Sequence, residues 1–293
     1  MDSTDWPAEA FRAHRAHLRA VAYRMLGSLT EADDAVQETW LRLTKTDVAD
    51  VRNMRAWLTT VTSRVCLDML RARAARREDL LGAHVPDPIV TPVDDDPEQH
   101  ALLADSVGLA LLVVLDTLPP AERLAFVLHD IFAVPFAQIG SILGRSPAAA
   151  KQLASRARHR LRGASAAGAA DPARQRAVAD AFLAASRGDD FAGLLALLDP
   201  DVVLRADAGT GPFGPSQLIR GASEVAAQAS RFAGLARFAH PVLVNGTLGY
   251  LVVTRGQPLA LIGIAVRDDK ITEIDILADP QRLGRLDLTG LIG

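Results

Sequence analysis

The sequence predicts a multidomain chain: two all-α domains followed by an α+β domain. Three observations lead there. Up to about residue 162 the apolar residues recur at helical spacing. The stretch GASAAGAAD at 163–171 is small and flexible, and after it the pattern turns to runs that read as strands. The length, 293 residues, exceeds one ordinary hydrophobic core.

Composition sets the outer bounds. Hydrophobic residues make up 49% and charged residues 23%, which places the chain among globular proteins. The net charge of −3 does not announce a nucleic-acid binder, but its distribution is uneven. Basic residues cluster at 71–77 and 145–162, and acids crowd 78–98. One cysteine, Cys66, excludes an internal disulfide and suits a reducing cytosol. There is no N-terminal apolar leader and no membrane-length apolar run, so a cytoplasmic protein without a membrane partner is expected.

The first helix is expected over 8–27, with Phe11, Leu18, Val21, Ala22, Met25 and Leu26 as its stripe and Gly27 at its end. His14 and His17 lie three apart on it. No Cys or second His pair follows, so no metal site is expected. Thr30 to Asp33 resembles a capping box and opens a second helix to about Thr44. Its outward face carries Asp34, Gln37, Glu38 and Leu41, an acidic surface with an exposed leucine. A third helix is expected from Met54 to Arg77. Met54, Trp57, Leu58, Val61 and Val65 form its stripe, and its outer face and end hold Thr60, Ser63, Arg64, Arg71, Arg73, Arg76 and Arg77. Hydroxyls, a Trp and many arginines on one helix suit melted nucleic acid through stacking and phosphate contact.

Residues 78–99 hold four prolines and the acidic Asp94–Asp96 cluster, and read as a linker with extended segments. Leu102 to Leu115 reads as an apolar helix, and Pro119-Pro120 opens another to about Phe132. A short helix then ends at Gly144. Ser146 caps the next helix and Pro147 stands at its first position. Ala150, Leu153, Ala154, Ala157 and Leu161 form one narrow apolar face. The other face carries Lys151, Gln152, Ser155, Arg156 and Arg158. Residues 145–162 contain five Arg and one Lys, and no acid occurs between Asp130 and Asp171. Two helices joined by a tight Gly-containing turn, the second basic, form the helix-turn-helix pattern.

Beyond the second linker, helices are expected at 172–187, 190–198 and 221–234. A strand at 202–207 precedes a Gly/Pro-rich loop, and strands at 238–245, 248–255, 258–267 and 270–277 form an antiparallel meander turning at Asp268-Asp269. Four polar residues, Arg205, Asp207, His240 and Asp275, are candidates for a pocket in this domain.

These segments together resemble an extracytoplasmic-function sigma factor of the sigma-70 family, of the group with a C-terminal SnoaL-like domain. AYRMLGSLTEADDAVQETWLRL at 22–43 and AWLTTVTSRVCLDMLRARAARRE at 56–78 are similar to sigma region 2. The stretch 118–162 is similar to sigma region 4, and the tail from about 174 to the cone-shaped SnoaL, or nuclear-transport-factor-2, domain. The resemblance implies a region 2 helical bundle at 1–78, a linker at 79–99, a helix-turn-helix domain at 100–163, a linker at 164–173 and a regulatory domain at 174–293.

The resemblance further implies a sigma factor, not an enzyme and without cofactor, whose partners are core RNA polymerase and promoter DNA. Asp34, Gln37, Glu38 and Leu41 would dock on the β′ clamp helices, with the β flap as a further contact. The third helix would hold the opened −10 element. Lys151, Gln152, Ser155, Arg156 and Arg158 would meet the −35 element. Three group motifs are altered: His84-Val85-Pro86-Asp87-Pro88 stands for Trp-Leu-Pro-Glu-Pro in the linker. Asp207-Ala208-Gly209-Thr210-Gly211 stands for Asp-Gly-Gly-Gly-Lys, and Asp279-Pro280-Gln281-Arg282-Leu283 for Asn-Pro-Asp-Lys-Leu. Pro86, Asp87, Pro88, Asp207, Gly209 and Gly211 are thereby the expected contact between linker and tail, through which the tail would modulate activity. A small-molecule ligand that shifts this contact is a further expected partner. The alternatives are a helix-turn-helix regulator with a ligand-sensing tail, and an isomerase- or cyclase-type enzyme fused to a DNA-binding segment.

Overall fold

The computed structural model describes residues 6–48, 51–76, 83–93, 108–165, 171–209 and 213–291. The Asp94–Asp96 cluster, Thr210, Gly211 and the first part of the helix expected from Leu102 lie outside them. The chain divides into two compact units, residues 1–78 with 114–166, and residues 79–113 with 167–293.

The first unit is all-helical. Helices α1 (Trp6–Leu26), α2 (Leu29–Leu43) and α3 (Met54–Arg76) pack through Leu18, Val21, Met25, Val36, Leu43 and Leu58, all nearly inaccessible. Each such leucine contributes about 2 kcal/mol. The cap of α2 is Ser28, two residues before the expected box, and its hydroxyl accepts from the Glu31 N–H. Cys66 is fully buried, and burial pushes its thiol up to about 12. Alkylation of Cys66 by iodoacetamide at pH 8 is therefore expected only in denaturant, with quantitative modification there by mass spectrometry.

Helix α4 (Leu109–Asp116) leads to α5 (Pro120–Phe126), which ends six residues earlier than expected in a π turn, Val127–Ile131. The wider turn lets the chain reverse at Ala133 (φ 53°) before Pro135, where the His129 ring stacks on Phe136 at 3.8 Å. Helix α6 (Phe136–Leu143) ends at Gly144 in the left-handed conformation (φ 64°). Helix α7 (Pro147–Ser165) follows at once. The turn needs a second glycine. A Cβ on Gly140 would stand 2.7 Å from the Arg145 carbonyl, so α6 meets the turn backbone directly.

The second unit is α+β. Helices α8 (Pro172–Arg187) and α9 (Phe191–Leu197) run into strand β2 (Leu198–Asp207). After β3 (Gln217–Arg220) come α10 (Ala222–Arg231) and α11 (Ala233–Ala236). Strands β4 (Ala239–Val244), β5 (Thr247–Thr254), β6 (Gln257–Arg267) and β7 (Lys270–Leu277) precede the short α12 (Pro280–Leu283). The β4–β7 meander is antiparallel, and Asp268 and Asp269 both take positive φ at its last turn. The sheet is nevertheless mixed, because β2 pairs with β7 in parallel. The order is β1-β4-β5-β6-β7-β2-β3, where β1 (Val90–Thr91) comes from the expected linker and pairs with Val244 and Leu243. Helices α8, α9 and α10 cover one face through Phe182, Leu194 and Val225. Val85, Leu109, Val113, Leu283 and Leu288 cover the other.

Candidate nucleic-acid interface and linker latch

Helix α7 is positioned by local chemistry. The Ser146 hydroxyl accepts from the Ala149 N–H at 3.2 Å. Ala150, Leu153, Ala154, Ala157 and Leu161 are all buried, and the three alanines let α7 approach α5 and α6 closely. Lys151, Gln152 and Ser155 stand exposed on the opposite face. Arg156 is exposed and lies 3.3 Å from buried Glu122, which Arg160 also meets at 3.0 Å. Arg158 points away from that row, toward Asp130 at 2.8 Å.

Helix α3 is more enclosed than a one-sided amphipathic helix. It packs against α1 and α2 on one side and α5 and α6 on another. Ser63, expected on the outer face, is therefore fully buried, beside Thr62, whose hydroxyl meets that of Thr39 at 3.0 Å. Trp57 is half-buried, Arg64 and Arg71 are exposed, and the side chain of Arg76 lies outside the described residues. Arg73, expected to face nucleic acid, turns inward. It donates to the Leu26 carbonyl at 3.1 Å, bonds Glu31, and lies 3.7 Å from Asp116. Asp116 also holds the guanidinium of buried Arg123 at 2.9 Å. The Arg73–Asp116–Arg123 node has no local sequence signature.

The helix-turn-helix and α3 touch directly. The Gln138 amide on α6 donates to the Ala56 carbonyl and to the Thr60 hydroxyl, each at 3.0 Å. Arg64 donates to the Ser141 carbonyl at 3.3 Å. On α2, Asp34, Gln37, Glu38 and Leu41 recur at i, i+3, i+4 and i+7 and share one face. Leu41 is 43% exposed, the largest exposure of a big apolar side chain among the described residues of the unit. Glu38 pairs with Arg42 at 2.9 Å. His17 sits between Thr59 and Arg55, and burial, then Arg55, lowers it to about 4. No cluster of three metal-ligating side chains occurs among the described residues.

In the second unit, Asp207 is the hub of a latch. Its carboxylate accepts from the Val85 N–H at 3.1 Å and from Arg282 Nη1 at 2.6 Å, and lies 3.0 Å from His84 Nδ1. Ser216 donates to its other oxygen at 3.3 Å. Arg282 reaches on to Asp87 at 2.9 Å and to the Val85 carbonyl at 2.6 Å. Burial works against the Asp207 charge, but His84, the Val85 N–H and Arg282 outweigh it and hold the carboxyl below the usual range. Pro86 and Pro88 are buried beside it. Gly209 has φ 51°, and a Cβ there would collide with Asp279, whose carboxylate caps α12 and so aims Arg282. Two further hydrogen bonds fasten the linker, from the Ile89 N–H to the Asn245 side chain and from the Asn245 N–H to the Ile89 carbonyl, each 2.8 Å. The altered motifs contain His84, Asp87, Asp207, Gly209 and Arg282, but nothing local marked Ser216, Asn245, the His84 contact with Asp207 or the dominant role of Arg282.

The four pocket candidates do not line the apolar cavity of this unit. Alternation along β2 and β7 puts Arg205, Asp207 and Asp275 on the sheet face opposite the cavity, and His240 is exposed on β4. Arg205 bridges Glu273 (2.9 Å) and Asp275 (3.0 Å). Burial pushes the Asp275 carboxyl up to about 6, with Arg205 opposing. The cavity itself encloses about 140 Å³ between the sheet and its helices, lined by residues such as Phe182, Leu204, Tyr250, Ile262 and Ile276.

A basic helix-turn-helix, a second helical module with an acidic outer face, and a latched α+β tail are the architecture of a multidomain transcription factor of the sigma-70 type. Residues 10–76 match sigma-70 region 2, and residues 108–161 match sigma-70 region 4. The chain is 39% identical over 289 residues to the ECF RNA polymerase sigma factor SigJ of Mycobacterium tuberculosis, covering 93% of this chain and 91% of that one. It is 36% identical over 295 residues to the probable ECF RNA polymerase sigma factor SigI of the same species, covering 98% of each. The crystal structure of M. tuberculosis SigJ aligns with a TM-score of 0.74 at 37% identity, over 96% of this chain and 100% of that one. The chain belongs to the extracytoplasmic-function sigma factors, and its function is to direct promoter-specific initiation of transcription. The repressor-like and isomerase-like alternatives are not favoured.

Proposed function

We propose how the named residues divide that function. Asp34, Gln37, Glu38 and Leu41 form the surface that docks on the β′ clamp helices. Lys151, Gln152, Ser155 and Arg156 meet base edges or phosphates of the −35 duplex at the major groove, with Arg158 secondary. Trp57, Thr60, Arg64 and Arg71 hold the melted −10 strand, Trp57 by stacking and the arginines by phosphate contact. Ser63 and Arg73 support α3 from within. Melting needs this surface to prefer single strand over duplex, since only a difference in affinity shifts the equilibrium.

The observation that carries this reading is the exposed polar row on α7, laid on a buried small-residue face behind a tight turn. The Gln138–Thr60 and Arg64–Ser141 contacts describe a resting state. The −35 and −10 elements lie about 25 base pairs apart, or about 85 Å at 3.4 Å per pair. A compact unit of roughly 130 residues has a radius of gyration of about 14 Å. The two helical modules must therefore part to span a promoter. The tail regulates this step through the linker that it holds.

In-vitro transcription with core RNA polymerase is the test. Leu41→Arg is expected to lower capture of core polymerase at least 10-fold and to abolish promoter-specific transcripts, with α-helical content unchanged. Capture equal to that of the parent protein would remove the docking assignment.

A further inference from the structure

The apolar cavity of the second unit takes no part in promoter reading. Its lining is Leu, Ile, Val, Ala, Pro and Phe, with Ser186, Gln217, Gln228 and Tyr250 as the polar members. The Tyr250 hydroxyl is already committed to Asp180 at 2.8 Å. Among the described residues no Asp, Glu, Lys, Arg or His lines it. An ionised ligand would be buried there without a counter-charge. Ordered water is poorly served too, because a buried water needs about three hydrogen bonds.

Of the two lining amides, Gln228 accepts from Arg231 at 3.5 Å, and Gln217 is the one left to face a ligand. Gln217 pairs across the ladder with Ala206, and residues directly opposite project on the same face, here the cavity face. Its side chain makes no hydrogen bond to another described residue. Two of the lining aromatics, Phe213 and Phe232, meet edge-on at 5.8 Å, and Phe232 is 38% exposed. At about 140 Å³ the space compares with apolar cavities of about 150 Å³ that bind benzene.

We propose that this cavity is a receptor site for a neutral, apolar small molecule of about one ring, whose single hydrogen-bonding group is held by Gln217. The site is placed to be heard. Ala206 and Ala208 line the cavity, while Asp207 between them points to the opposite face and holds the linker. A bound ligand therefore presses on the same strand that anchors the latch.

The test is thermal unfolding of the full-length protein with toluene and phenol as neutral probes, and benzoate and benzylammonium as charged ones. The neutral probes are expected to raise the Tm of the second unit by about 5 °C at a hundredfold excess over Kd. The charged probes should give no shift. Ala260→Phe and, separately, Ala239→Leu fill the cavity and should abolish the shift while circular dichroism stays native. Gln217→Leu should erase any preference for phenol over toluene and keep toluene binding, a readout that does not depend on either filled variant folding. The proposal is overturned if neutral probes leave Tm unmoved, if benzoate matches them, or if a folded, filled variant responds as the parent does.

Discussion

Replacing Lys151 and Arg156 together by glutamate lowers affinity for duplex −35 DNA by about 100-fold or more, at an energy of about 1–3 kcal/mol per lost groove contact. The log–log salt slope should also become shallower by about 2, one unit of slope for each phosphate contact removed. Fluorescence anisotropy against a −35 duplex, at several salt concentrations, measures both. The fold should survive, because the exposed row is separate from the buried Ala150–Leu153–Ala157 face. Arg156 needs a companion variant. It lies 3.3 Å from buried Glu122, so a glutamate there adds repulsion to lost attraction. Arg156→Gln removes the cation alone. An unchanged salt slope in Lys151→Glu/Arg156→Gln would show that α7 does not meet DNA through this face.

Asp207→Ala is expected to destabilise the second unit by about 3 kcal/mol, near the lower end for breaking a buried charge pair, because Arg282 keeps Asp87. It strands the Val85 N–H as well. Denaturant unfolding gives the loss, and hydrogen exchange should show faster exchange at Val85 and Ile89. Arg282→Ala should cost a similar amount, and the double variant less than the sum, since both belong to one network. The pH dependence has a definite sign. The folded pKa of Asp207 is depressed, so its stabilising contribution is complete above the unfolded carboxylate range near pH 4. It fades as the pH falls through the folded pKa, and the gap between parent and Asp207→Asn should close on acidification. A gap that stayed constant down to pH 2 would mean that Asp207 is not held as a charged acceptor.

What the sequence revealed follows the distance over which each feature is decided. The Gly144 end, the Ser146 cap and the apolar face of α7 are local choices, and they stand where the pattern put them. The β4–β7 meander was legible for the same reason, since each strand is joined to the next by a tight turn. Strands β1 and β3 were not, because two and four residues give no usable alternation. Ser63 and Arg73 were misplaced because a stripe on one helix says nothing about how many neighbours enclose it. Two of the latch contacts join Asp207 and Asp87 to Arg282 across 75 and 195 residues, so only motif resemblance hinted at them. The pocket candidates failed on a simpler point. Polar residues that share a strand face suggested a site, whereas the cavity lies on the other face and is apolar.

The β1–β4 pairing bears on how the tail should be dissected. Excising everything beyond residue 173 takes away the edge on which Val90 and Thr91 hydrogen-bond, and bares Val85, Leu109 and Val113 in the fragment that is kept. Such a stump invites self-association, whatever its regulatory state. Shortened chains would then confound loss of control with loss of solubility, and single-residue changes in the intact polypeptide are the cleaner instrument.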